Sequence, residues 1–242
     1  MTCKAEREIN DHQNSLVKTA RMTGLWYLCL AISGIFGFLV FHPQIYVTNE
    51  PAETLRNLTE KESLARIRLL LEFAVIIAQA LTAVWFYRLF RKINGWGGWT
   101  LGIWGTMNSG LIMISAISMA TALKIANTAD LSFEQQVVLI QLLQSLGGNA
   151  WGVGSLFFGL WLIPMGYIVV SSERMPVWMG RILIIGGAGY LLNTFLNYMG
   201  LGHALVDALV IPATVGEFWM IGYLLIYGIR ASNGQFENIP ER

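Results

Sequence analysis

Glu217 is a lone carboxylic acid in an otherwise uncharged stretch of twenty-two residues, Ala208 to Ile229. At about 1.5 Å per residue, a helix of this length reaches roughly 33 Å, enough to cross a hydrocarbon core of about 30 Å. A carboxylate at that depth is costly, and no Lys or Arg stands at a matching depth in another apolar stretch. Because burial disfavours the charged form, we expect Glu217 to be a neutral, hydrogen-bonded acid.

Polar side chains also occur inside other apolar stretches. Arg68 and Glu72 are four residues apart and Gln79 lies seven further on, so the three share one face of a helix. Asn108 and Asn193 lie in two further stretches. We predict that such residues line a pocket, open to the outer surface, that holds a small amphipathic molecule or lipid. The predicted ligand-binding residues are Glu72, Gln79, Asn108, Asn193 and Glu217.

The same residues also have a purely structural interpretation. The spacing of Arg68 and Glu72 is typical of an ion pair that anchors a helix end. Asn, Gln, Ser and Thr in membrane helices often only join neighbouring helices, at about 1 kcal/mol or less per hydrogen bond. A protein built in this way would be a structural or regulatory membrane partner without its own chemistry. The sequence leaves both functions open.

Motifs of enzymes and cofactor-binding proteins are missing from the sequence. It has no phosphate-binding loop ending in Lys-Ser/Thr, no His-Glu-x-x-His, no Cys-x-x-Cys and no Gly-x-Ser-x-Gly. The three histidines lie in a tail and near helix ends, which does not favour a metal or haem site. We predict no catalytic residue, no metal and no cofactor, and an enzyme is the less favoured class. A formal charge of +1 also gives no basic surface for nucleic acid.

Six apolar stretches must position these side chains. Charged residues make up 13% of the chain and its mean hydropathy is +0.53, whereas soluble domains carry about 25% charged residues. We predict an all-α, polytopic membrane helix bundle, a single domain of six transmembrane helices over residues 22–230. The predicted spans are about 22–41, 69–87, 100–123, 149–171, 182–200 and 208–229, with tails at 1–21 and 231–242.

Two connecting segments carry their own signals. Gly147 and Gly148 predict a break in a long apolar run, so that Leu131–Leu146 forms a separate helix leading into the fourth span. The segment Ala52–Arg66 mixes leucines with charged residues, which predicts a polar or amphipathic helix at the surface.

Basic residues predict the orientation in the membrane. Eleven Lys and Arg residues lie on the side of the two termini and five lie on the opposite side. Because positive loops tend to stay in the cytoplasm, we expect both tails to be cytoplasmic. The expected partner is the lipid bilayer. Small residues four apart, as in Gly98-x-x-x-Gly102 and Ala116-x-x-x-Ala120, leave a homo-oligomer open.

Several motifs in combination resemble one protein family. They are Thr19-Ala-Arg-Met-Thr-Gly-Leu-Trp-Tyr27, Gly159-Leu-Trp-Leu-Ile-Pro-Met-Gly-Tyr167, Ile184-Ile-Gly-Gly-Ala-Gly-Tyr-Leu191 and Pro212-Ala-Thr-Val-Gly-Glu-Phe218. Together they resemble the domain-of-unknown-function family 4386, from about Ser15 to Arg230. The resemblance implies an all-helical, multi-pass bacterial membrane protein. We expect it to lie in the cell (inner) membrane. The resemblance implies no assigned biochemical activity.

Overall fold

The computed structural model describes residues 2–231, and all the regular structure in that range is helical. The helices are α1 (Thr2–Gly34), a π-helix (Ile35–Phe41), α2 (His42–Ile45), α3 (Pro51–Glu60), α4 (Glu62–Phe90), α5 (Gly95–Ala126), α6 (Phe133–Ser172), α7 (Val177–Tyr198), α8 (Ala204–Asp207), a 3-10 turn (Ala208–Val210) and α9 (Ile211–Ile226). The predicted all-α fold is confirmed.

Six helical segments are long and apolar enough to cross a membrane, as the sequence predicted. They cover Asn10–Ile45, Glu62–Phe90, Gly95–Ala126, Phe133–Ser172, Val177–Tyr198 and Ala204–Ile226. The chain is therefore a multi-pass membrane protein. Helix α1 begins at Thr2, so the predicted N-terminal tail is helical wherever the structure describes it. Residues 232–242, nearly all of the predicted C-terminal tail, lie outside the described residues.

The break predicted at Gly147 and Gly148 is wrong, because α6 runs through both residues without interruption. A glycine inside a helix costs only about 1 kcal/mol relative to alanine, which a helix of this length tolerates. Both glycines line a cleft described below. Their missing side chains therefore leave space beside the helix instead of ending it.

The predicted amphipathic segment is shorter than expected. Helix α3 ends at Glu60, and Lys61 separates it from α4. The helix keeps one polar face, while Leu55 and Leu58 on its other face are buried. Asn57 Nδ2 donates to the carbonyl of Ile45 over 3.2 Å, which ties α3 to the end of α2.

The chain divides into two compact units. The Tyr27 unit contains the chain up to Tyr27, then Leu81–Gly105, then the described residues from Leu156 onward. The Arg68 unit contains Leu28–Ala80 and Thr106–Ser155.

Within the Tyr27 unit, glycines let α6, α7 and α9 approach one another closely. A Cβ on Gly187 of α7 would lie 2.8 Å from the carbonyl oxygen of Gly159 in α6. A Cβ on Gly186 would collide with the backbone of Ala213 in α9. In membranes, where helix packing depends on close backbone contact, small residues at these places hold the helices together.

Within the Arg68 unit, a hydrophobic cluster packs α3 against parts of α4, α5 and α6. Its buried members are Ile45, Leu55, Leu58, Ala65, Met119, Ala122, Leu123, Ala126 and Ile140. The cluster fixes the ends of these helices, and Met119 also contacts the charged pair of α4 described next.

Candidate functional site

Arg68 and Glu72 form an ion pair in α4 and are each only 2% exposed. Arg68 Nη1 donates to Glu72 Oε2, because a spacing of four brings the two side chains together on one helix face. Removing two charges from solvent is costly, and their mutual attraction offsets that cost only when the geometry is good. The two opposite charges thus cancel, and the pair is buried within the Arg68 unit.

Trp151 of α6 contacts the other carboxylate oxygen of Glu72. Trp151 Nε1 lies 3.1 Å from Glu72 Oε1 and 3.1 Å from Ser115 Oγ, so one indole N–H is shared between two acceptors. Both oxygens of Glu72 therefore accept a hydrogen bond. The carboxylate is fixed by one side chain of its own helix and one of α6.

Arg68 has more donors than the surrounding residues satisfy. Its Nη1 donates to Glu72 and lies 2.8 Å from the sulfur of Met119, but buried Nε has no hydrogen-bond partner among the described residues. The guanidinium carbon also stands 5.1 Å from the ring centre of Phe38 and 5.9 Å from that of Tyr46. Aromatic faces thus support the cation, while the buried Nε–H has no partner among the described residues.

A cleft of about 290 Å³ opens beside Arg68, entirely within the Arg68 unit. Aromatic side chains supply much of its wall, and polar atoms come from Arg68 and from residues of α5 and α6. The aromatic lining residues are Phe38, His42, Tyr46 and Trp151, and the polar ones include Ser115, Ser118 and Gln144. This mixture of apolar wall and a few polar groups is typical of a small-molecule site.

A π-helix brings one part of this wall into place. Residues Ile35–Phe41 adopt the wider turn, in which His42 N–H donates to the carbonyl of Gly37. Pro43 favours a departure from the regular helix here, because its ring would clash with the carbonyl four residues earlier and it has no N–H to donate. Phe38 then meets Trp151 edge-on, with ring centres 4.2 Å apart. Such π segments are frequent at functional sites.

Glu217 has a different environment, in the Tyr27 unit. Its Oε1 accepts a hydrogen bond of 2.6 Å from the hydroxyl of Tyr27 in α1. Tyr27 is 2% exposed and packs against Phe86 and Trp161, with ring centres 5.6 and 5.4 Å away. The partner that the structure describes for Glu217 is therefore a phenol. No Lys or Arg pairs with Glu217 among the described residues.

The remaining predicted ligand-binding residues lie in both units. Gln79 and Asn108 belong to the Arg68 unit and are fully or almost fully buried, and the side-chain amide of Asn108 has no hydrogen-bond partner within residues 2–231. Asn193 belongs to the Tyr27 unit, where its Nδ2 donates to the carbonyl of Val206 over 3.0 Å and lies 3.4 Å from Asp207 Oδ1. None of the five predicted residues is among those lining the cleft.

Sequence reasoning missed the residues that make the cleft. The aromatic lining residues look like ordinary interfacial or packing aromatics in the sequence; they are Phe38, His42, Tyr46 and Trp151. One signal was available in the sequence: Trp151 lies in the same apolar run as the adjacent glycines Gly147 and Gly148. In the described part of the chain, no three His, Cys, Asp or Glu side chains are grouped as metal ligands.

Comparison with known proteins gives a family but no activity. The model of a family described as a domain of unknown function, DUF4386, matches residues 22–228. An uncharacterized protein of Archaeoglobus fulgidus is 28% identical over 69 residues, which cover 28% of this chain and 43% of that protein. No solved structure matches the chain. Because the family match covers most of the sequence, the chain belongs to the DUF4386 family.

Proposed function

We propose that this membrane protein binds a small amphipathic molecule or lipid in the cleft beside Arg68. The observation that carries the proposal is the buried Arg68 Nε, which has no partner among the described residues and belongs to a residue that lines the cleft. A buried donor without a partner costs about 1–3 kcal/mol. A ligand oxygen in the cleft would remove that cost.

The walls of the cleft support the same proposal. Phe38, Tyr46 and Trp151 offer apolar contact area, while Arg68 and Gln144 offer polar contacts. An amphipathic ligand matches such a surface because its head needs hydrogen bonds and its first carbons need apolar contacts.

The proposed site differs from the set predicted from the sequence. Glu72 stays in it as the counter-ion that orients Arg68, without lining the cleft. We assign Asn193 to the joining of α7 and α8, since its side chain donates to the carbonyl of Val206. Gln79 and Asn108 have no ligand contact in this proposal. Glu217 has no ligand contact in this proposal.

We also propose that the protein lies in the cell (inner) membrane with both termini in the cytoplasm and the cleft open to the opposite side. The excess of Lys and Arg on the side of the termini supports this orientation. Cysteine accessibility across the membrane of intact cells would test it: thiols placed in the Val47–Glu50 connection should react with impermeant reagents, and reaction only after permeabilisation would contradict the orientation.

A substitution that fills the cleft tests the binding function. A Cβ on Gly148 would meet no atom within 4 Å, so Gly148→Leu should fill the cleft without disturbing α6. Gly110→Leu is the matched control, because a Cβ there also meets nothing within 4 Å and Gly110 does not line the cleft. Both glycines lie in helices of the Arg68 unit.

The measurement is native mass spectrometry of the protein released from membranes in mild detergent. We expect the wild type and Gly110→Leu to carry a bound small molecule that Gly148→Leu lacks. The proposal would fail if none of the three proteins carried a bound molecule. It would also fail if the bound molecule persisted in Gly148→Leu.

A structural or regulatory role in the membrane is the second candidate. The Tyr27–Glu217 hydrogen bond favours it, since a paired acid in an aromatic setting needs no ligand to explain its burial. Affinity capture from native membranes tests this role. A partner recovered reproducibly with Gly148→Leu as well as with the wild type would support it, and recovery of none would count against it.

A further inference from the structure

We infer that the ligand of the Arg68 cleft carries an uncharged head with a hydrogen-bond-accepting oxygen, such as a hydroxyl, ether or ester carbonyl. This inference rests on the proposed binding function and names the chemical class of the ligand. Neutral amphiphiles such as alcohols and monoacylglycerols belong to this class, whereas fatty acids and quaternary ammonium amphiphiles do not.

The charges beside the cleft exclude a charged head. Among the described residues that line the cleft, Arg68 is the only Lys, Arg, Asp or Glu, and Glu72 neutralises it. An anionic head would therefore add an uncompensated negative charge next to a buried carboxylate, and a cationic head would add an uncompensated positive charge next to the guanidinium. Both arrangements are strongly unfavourable at a buried site.

The hydrogen bonds specify an acceptor. Both oxygens of Glu72 already receive N–H donors, one from Arg68 and one from Trp151. His42 Nδ1, in the lining of the cleft, has no partner among the described residues, and Nε is the nitrogen of the Arg68 guanidinium that is buried without one. A ligand oxygen satisfies this donor without displacing Glu72, because it uses a nitrogen that the ion pair does not use.

The aromatic groups do not form a cage for a cationic ligand. The guanidinium of Arg68 already stands over the rings of Phe38 and Tyr46. The rings of Phe38 and Trp151 also form an edge-to-face pair. The faces of these rings thus already bind a cation, the guanidinium of Arg68, and are not free for a cationic ligand.

The volume of the cleft limits how much of the ligand it holds. At about 30 Å³ for each water-sized group, 290 Å³ accommodates roughly ten such groups. A head such as glycerol together with the first carbons of a chain matches this size. The cleft therefore holds the head and the first carbons of the ligand's chain.

A set of three probes with equal chains tests the inference. Radiolabelled monodecanoylglycerol, decanoate and decyltrimethylammonium are titrated at neutral pH onto wild-type protein in nanodiscs, with empty nanodiscs subtracted. We expect monodecanoylglycerol to bind about tenfold or more tightly than either charged probe, since a buried unpaired charge is worth at least that factor.

Glu72→Gln should change this preference, because it leaves Arg68 without its counter-ion. Decanoate should then bind more tightly than monodecanoylglycerol. Glu217→Gln is the matched control: it also converts a membrane acid to an amide, but in the Tyr27 unit, and it should keep the wild-type order. If Glu72→Gln does not fold, the test uses the double variant in which Arg68→Gln and Glu72→Gln are combined, since this protein keeps the site neutral. It should lose monodecanoylglycerol binding and gain no decanoate binding.

The outcomes separate the two proposals. If no probe binds the wild type in a manner that Gly148→Leu abolishes, the proposed binding function fails. If binding is found but decanoate or decyltrimethylammonium is preferred by the wild type, the neutral-head inference fails and the binding function stands. Unchanged monodecanoylglycerol binding in the double variant would likewise overturn the inference.

Discussion

Glu72 and Glu217 are two acids in membrane-spanning helices that are accommodated in opposite ways. Glu72 is 2% exposed, pairs with Arg68 and also accepts from Trp151, so a cation and an indole share its charge. Glu217 accepts one hydrogen bond from the phenol of Tyr27 and has no cationic partner among the described residues. The first arrangement suits an ionised acid, and the second suits a neutral one.

The difference underlies the choice of site that we propose. Arg68 of the charged pair lines a cleft and has a buried donor without a partner among the described residues, which is why we propose the binding site there. Tyr27 and its acid are instead packed among Phe86 and Trp161. We therefore base the proposed site on the unpartnered donor of a residue that lines a cleft, and not on the acid that stands out in the sequence.

The largest expected effect follows from removing one partner of the charged pair. Glu72→Ala leaves the guanidinium of Arg68 buried without a counter-ion, and we expect a loss of about 3–5 kcal/mol in the free energy of unfolding. Steric trapping in bicelles measures it. A double variant, Arg68→Met with Glu72→Leu, should recover most of the loss because it removes both charges. A double variant as unstable as Glu72→Ala would show that packing, and not charge, explains the effect.

An intermediate effect is expected at the indole. Trp151→Phe keeps an aromatic ring against Phe38 but removes the N–H that reaches Glu72 and Ser115. Hydrogen bonds to charged groups contribute about 1.5–3 kcal/mol, so we expect a loss of that size in the same unfolding measurement. If Glu72 were neutral, the loss would be about 1 kcal/mol instead.

A smaller effect is expected at the phenol. Tyr27→Phe keeps the ring contacts with Phe86 and Trp161 but removes the only donor that the structure describes for Glu217. Hydrogen bonds between neutral groups in membranes are worth about 0.6 kcal/mol on average, and we expect a loss near that value. A loss as large as that of Trp151→Phe would indicate an ionised Glu217 and would weaken the contrast between the two acids.

The smallest effect is expected for Glu217→Gln. The amide oxygen of glutamine can accept from Tyr27 as the carboxyl oxygen does, and no charge is lost if Glu217 is neutral. We expect a change of less than about 0.5 kcal/mol in the free energy of unfolding. The matched substitution Glu72→Gln breaks the ion pair with Arg68, so its loss in the free energy of unfolding should be several times that of Glu217→Gln.

The sequence was sufficient for the parts of the fold that depend on hydrophobic length. Runs of about twenty apolar residues predict membrane helices because any other backbone would leave polar groups unsatisfied in lipid. The spacing of Arg68 and Glu72 likewise puts them on one helix face, and the two side chains are paired in the structure. Gly147 and Gly148 were misleading because glycine weakens a helix by too little to end it within a long apolar segment.

The cleft and the Tyr27–Glu217 contact were beyond sequence reasoning. Tyr27 and Glu217 are separated by 190 residues, and nothing in local spacing indicates that α1 and α9 bring them together. The π-helix that places Phe38 also depends on how Pro43 is accommodated, which could equally have produced a kink. Long-range pairing of helices, and the side chains that follow from it, requires the structure.

A ligand-bound structure tests the central claim most directly. The protein in nanodiscs, enlarged with a bound antibody fragment and saturated with monodecanoylglycerol, should show density for the ligand in the Arg68 cleft. We predict a head-group oxygen within hydrogen-bonding distance of Arg68 Nε, with the Arg68–Glu72 pair intact. An empty cleft with ligand density beside Glu217 would contradict the account.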